Sequence, residues 1–176
     1  KVGLSTLERS FRALIYANHL SADANQQSIF YKELNAGIRN VLLNQGLYYL
    51  SKEKDTTGFS SQYGRVHAFA HGADLLTEVV CHPDFPKNRI HEVFDILGPL
   101  FKRIPIRFTD DEDWRLARVL YEPILQGKLA QEQVASWIKT VDFPIEERED
   151  FYKFSNFKSC LLEVYIQLDQ RNSLQD

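Results

Sequence analysis

Apolar residues recur at three- and four-residue intervals along almost the whole chain, and nowhere do they alternate over a strand-length run. This periodicity predicts an all-α fold with no convincing strand. Ser5-Thr6-Leu7-Glu8 has capping-box spacing. Phe11, Leu14 and Ile15 follow it, and a break near Ser21-Ala22-Asp23 ends the first helix. A second period runs from Ile29 through Leu34, Ile38, Leu42 and Tyr49, weakened by Gly37 and Gly46, before the polar loop Lys52–Gly58. A third helix is expected from about Ser61 to Cys81, stopped by His82-Pro83-Asp84-Phe85-Pro86. Asn88 can cap the next, whose Pro99 predicts a kink and which closes at Ile104-Pro105-Ile106. Thr109-Asp110-Asp111-Glu112 repeats capping-box spacing and opens a helix through Leu125. A short helix Ala130–Val141 follows, Pro144 breaks again, and Ile145 to about Leu168 is expected as the last long helix or pair, with Phe151, Phe154 and Phe157 on the core. Helix, short loop, helix every ~35–45 residues suits stacked antiparallel helical pairs, a HEAT-like α-solenoid, with a compact helical array or bundle as the alternative.

The chain has 176 residues, 44% of them hydrophobic, which fits residues 1–176 as a single helical domain with a sizeable core. Its net charge is −3 and its Lys and Arg are scattered, which argues against nucleic acid as a partner. The apolar runs are far shorter than a membrane span, and Lys1–Ile15 has no continuous apolar signal core. Cys81 and Cys160 have no companion spacing for a disulfide framework or zinc ribbon, so two reduced thiols in a cytoplasmic protein are expected. The chain contains no Met, where average usage gives about four. That fits either a fragment or a chain with residues missing from it, and it confines helical-phase arguments to short uninterrupted stretches.

One such stretch, Gly64–Glu78, is the only place where the sequence points to chemistry. Drawn as one helix, it puts His67, His71, Asp74 and Glu78 within an arc of roughly 60°. Neutral imidazole and carboxylate are the usual ligands of divalent metals such as Zn. A His-x-x-x-His pair on one helix face can pinch an ion. Asp74 then serves as third ligand or as the group that fixes a ligating tautomer. Glu78, or Glu53 from the preceding loop, is the candidate general base. Two features weaken a hydrolase reading: Ala68 stands where zinc peptidases carry Glu, and no adjacent His-Asp pair occurs. The same stripe also reads as a buried hydrogen-bonded network, or as the polar edge of an amphipathic helix.

Neighbouring groups bear on the choice. Glu53 and Asp55 could complete a carboxylate-rich pocket, though Asp55 also suits a turn acceptor. Arg115 is expected to pair with Asp111, or else with Asp74 or Glu53 across a helix interface. His91 and Asp95 repeat the four-residue spacing on the following helix, while Trp114, Tyr48, Tyr49 and Tyr63 are core or groove-lining aromatics.

Three blocks carry a resemblance: Glu53-Lys54-Asp55-Thr56-Thr57-Gly58-Phe59, then Gly64 to Leu76 with Ala70-His71-Gly72-Ala73-Asp74-Leu75-Leu76 as its most specific part, then Glu112-Asp113-Trp114-Arg115-Leu116-Ala117. They resemble the hallmark blocks of a bacterial family known only as domain of unknown function 2785. That resemblance implies an all-helical cytoplasmic protein of unassigned activity. Thr57-Gly58 and Arg65 stand where members often carry Arg-Gly and Trp. Two functions stay open. One is an interaction or ligand-binding module, taking a protein or small-molecule partner through a groove at His67, His71, Asp74, Asp55 and Arg115. The other is a metal-dependent hydrolase with His67, His71 and Asp74 as ligands.

Overall fold

The computed structural model describes residues 2–175. Among them the helical periods become seven α-helices: α1 Leu4–Ala24, α2 Ala36–Lys52, α3 Ala68–Cys81, α4 Glu92–Arg103, α5 Glu112–Leu125, α6 Gln131–Ile138 and α7 Arg148–Gln170. Two two-residue strands, β1 Phe59–Ser60 and β2 Gly64–Arg65, pair antiparallel ahead of α3. The expected all-α class of packed helical pairs is what the chain adopts.

The helices form two layers. Helices α1, α3, α5 and α7 pack in that order, and cross-contacts give their direction. Ser10 meets His71 and Ser21 meets Glu78; Asp74 meets Arg115 and Glu78 meets Arg118; Cys160 lies near Asp113 and Arg171 over the Tyr121 ring, so these helices run parallel. Helix α2 lies against α1 and α3 in the opposite sense, with Arg9 at Glu53 and Asp23 at Arg39. Helix α4 continues that second layer, and α6 joins it where the Trp137 ring stacks on Phe94 at 5.1 Å. Between the layers Leu47, Leu50, Leu76, Val79, Leu97, Leu100, Phe101 and Leu120 have no solvent exposure. Phe157 closes the core edge-on to Phe101 and Trp137, whereas Phe151, expected to share that role, is exposed.

Several boundaries differ from the sequence reading. Helix α1 starts on Gly3 with no side-chain cap. Residues 26–34 are turns pinned by Asp23, whose carboxylate accepts from the Leu34 amide (2.8 Å) and from Arg39. Helix α2 begins only where the Asn35 side chain accepts from the Ile38 amide. Asn88 lies in a 3-10 turn, Lys87–Arg89, rather than capping α4. Asp111, at a left-handed φ of 65°, precedes α5 in place of a Thr109 cap, and the Glu112 carboxylate turns back to accept from the Asp110 amide.

The largest correction concerns α3. The chain does not enter a helix at Ser61. Gly64 takes φ +72°, which permits the β1–β2 turn. The Gly58 carbonyl then accepts from the Val66 and His67 amides, and His67 itself sits at φ 48° as the N-cap. Helical phase therefore starts at Ala68, one residue after the first histidine.

Candidate functional site

Helix α3 is flanked by α1 and α5, and His71, Asp74 and Glu78 rise along the seam between them. His71 belongs to the first turn of α3, its amide bonded to the His67 carbonyl at 2.8 Å. Although His67 is outside the helix, its ring still stacks on His71, centroids 5.9 Å apart and planes 27° from parallel. Phe11, one residue beyond Ser10 on α1, covers the His71 ring at 5.5 Å.

The proton on His71 can be placed. Ser10 is completely buried and its hydroxyl, with one hydrogen, donates to the Val66 carbonyl. Its oxygen lies 2.8 Å from His71 Nδ1, so it accepts from Nδ1–H. Burial holds the His71 pKa below the ordinary imidazole value, with the Asp74 charge opposing in part. Near neutral pH the ring is thus uncharged, protonated on Nδ1, and presents a bare Nε2 lone pair.

Asp74 is buried, and both its oxygens are taken. Arg115 donates to Oδ2 and Arg118 to Oδ1 at 3.1 Å. Arg118 also lies 3.6 Å from Glu78, whose pKa is raised chiefly by burial. Trp114, 39% exposed, lies against both guanidinium groups, 5.6 Å and 5.9 Å from its ring. Of the pairings open to Arg115, the one with Asp74 forms.

The loop carboxylates go elsewhere. Glu53 is buried between α1 and α2, where it accepts from Arg9 Nε (3.0 Å), Arg9 Nη2 (3.1 Å), the Lys54 and Asp55 amides (2.9 Å each) and the Tyr49 hydroxyl (3.2 Å). Burial opposes ionisation of Glu53, yet these donors hold its pKa below the usual carboxylate value. Asp55 accepts from the Thr57 amide (3.0 Å), as a turn acceptor, and from Thr6, one turn from Ser10 on α1. His91 is exposed at the start of α4, in the other layer. Among the described residues no group of three or more His, Cys, Asp or Glu side chains is arranged to hold a metal ion.

The structure therefore joins His67, His71, Asp74, Glu78 and Arg115 in one seam and leaves Glu53 and Asp55 at a neighbouring junction. Sequence reasoning missed Ser10 and Arg118. Arg118 follows Arg115 by one turn and so had a signal, a doubled cation facing a doubled acid. Ser10 is 61 residues from His71 and had none.

No curated protein and no solved structure matches the chain. The family described as protein of unknown function (DUF2785) matches residues 5–166, a span that contains every residue of the seam. Over nearly its whole length, then, the chain belongs to the DUF2785 family.

Proposed function

We propose that this protein is a HEAT-like helical binding module that recognises a partner through the α1–α3–α5 face. The observation that carries the reading is the His71 ring, fixed as the Nδ1–H tautomer by Ser10 and backed by Phe11. His82, by contrast, uses both ring nitrogens internally, Nε2 with Asp23 and Nδ1 with the Asp84 amide. His71 keeps a hydrogen-bond acceptor aimed away from its buried partner. Around it Phe11 and Trp114 offer apolar edges, and Asp74 holds two guanidinium groups in fixed positions. Such a surface suits a protein or small-molecule group that donates to Nε2 and lays a flat or apolar part against the aromatic rings. The unpaired thiols of Cys81 and Cys160 fit a reducing, cytoplasmic setting. Among the described residues no helix is long and apolar enough to cross a membrane.

The metal-dependent hydrolase is the second reading, favoured by the near-parallel imidazoles and by the raised proton affinity of Glu78. Its ligand set is reduced to His67 and His71, because a metal at Asp74 has to displace two arginines. Photo-crosslinking separates the two readings. A crosslinker at Trp114 should give a discrete adduct in cells, identified by mass and lost in folded His71→Ala. Absence of any adduct, with stoichiometric Zn or Mn on tag-free protein that disappears in His71→Ala, transfers the assignment to the hydrolase.

A further inference from the structure

The opposite flank of α1 carries a second, separate feature. A cleft of about 490 Å³ opens between α1 and α2, within the size range of small-ligand sites. Ala13 and Leu75 form its floor, and the half-buried rings of Tyr16 and Tyr49 form its walls. Its single inward carboxylate, Glu53, is spent: five donors surround it and Arg9 neutralises it. Two further cations remain at the rim, Arg12 and Lys52. Arg12 shares only the exposed Glu8, outside the cleft. Lys52 ends α2, where a lysine usually serves the terminal carbonyls. Here Arg103 already serves them from the other side, donating to the carbonyls of Leu50, Ser51 (2.8 Å) and Glu53 (3.0 Å).

We infer that the α1–α2 cleft is a binding site for a small planar aromatic carboxylate. The ring lies between Tyr16 and Tyr49 over Leu75, and the carboxylate meets Arg12 and Lys52. The surplus of cations at the rim disfavours a cationic ligand, and the aromatic walls favour a flat body over a bare inorganic anion. The inference is independent of the His71 surface, on the far side of α1.

1-Naphthoate and its neutral isostere 1-naphthamide are suitable probes, titrated by calorimetry into the intact protein. Naphthoate should bind saturably at one site, about 3–10-fold more tightly than the amide. Lys52→Gln and Arg12→Gln, both at exposed positions and therefore expected to fold, should each weaken naphthoate and leave the amide unchanged. Together they should bring the acid down to the amide's affinity, while Lys102→Gln on α4 changes neither. Equal affinity for acid and amide, naphthoate binding untouched by the double variant, or no saturation up to about 10 mM overturns the assignment.

Discussion

Asp74 holds two guanidinium groups with one carboxylate, and its burial makes that arrangement sensitive to either side. The charge has left water, and only Arg115 and Arg118 compensate it. Removing one partner leaves a buried charge half-satisfied, which costs far more than an exposed pair contributes. Asp74→Asn should lower unfolding free energy in urea by about 1–3 kcal/mol, and Arg115→Ala or Arg118→Ala by about 2–3 kcal/mol each. Acid should act through two other residues. His71 and His82 both have pKa values depressed by burial below 6.5. His82 is buried beside Asp23 at 3.2 Å, with Arg39 and Asp84 on the same network. The unfolded chain takes up protons as pH falls through about 6.5, and the folded one does not, so stability rises with pH across that window and is lost below it. Melting should occur at lower temperature near pH 5.5 than near pH 7.5. That difference should narrow in His82→Gln. At this scale the sequence was legible where chemistry is local. The His71, Asp74 and Glu78 part of the stripe and the Asp55 turn could be read from spacing, while the place of His67 outside the helix and Ser10 under His71 depend on fold-level contacts that spacing does not encode.

Helices α2 and α3 cross where neither can carry an extra carbon. A Cβ on Gly46 would sit 2.7 Å from Val79 Cγ2, and one on Gly72 would sit 2.6 Å from Leu50 Cδ2 and 2.7 Å from the Tyr49 ring. Alanine is the better helix former by about 1 kcal/mol. Overpacking against a β-branched and an aromatic side chain costs about 1–3 kcal/mol, so steric cost wins. Gly46→Ala and Gly72→Ala should each lower the denaturation midpoint, a test of how closely the layers meet. Gly46, which weakens the helical period in the sequence, serves close packing here, as does Gly72. Side chains from later elements finish helix ends: Arg103 at α2, and Lys128 at α3, where Nζ donates to the Cys81 (2.8 Å) and His82 (2.6 Å) carbonyls. Lys128→Ala should cost about 1–2 kcal/mol, with amide exchange rising first around Val80–His82. The start of α3 was misread for a physical reason. A periodic apolar pattern does not report that Gly58 accepts two amides and Gly64 turns left-handed, and those backbone events displaced His67 from the helix.

Across the whole molecule α3 occupies the middle, with α1, α2 and α5 all against it. Only His71, Glu78 and Cys81 of its residues are not buried. Helix α6, by contrast, buries only Val134 and Trp137. In a stack held by neighbour-to-neighbour contacts, opening should begin at the least covered end. Native-state hydrogen exchange should therefore be slowest in α3 and fastest in α6; the reverse order would contradict the layered arrangement. Periodicity made the helical class and the pairing legible, because burying one stripe per helix leaves few architectures. It could not fix which neighbours touch, since that depends on turns such as residues 26–34. The parallel course of α1, α3, α5 and α7 has an electrical consequence. Each helix separates about half an elementary charge end to end, and α2, reversed beside α1 and α3, opposes them. The parallel layer holds helices of 21, 14, 14 and 23 residues against 17 in α2, so α2 offsets only part of their summed polarity and the N-terminal rim of that layer stays the more positive. That residual polarity favours partners that bring an acidic edge to this rim, and with a net charge of only −3 the capture rate of such a partner should fall modestly, not steeply, with added salt.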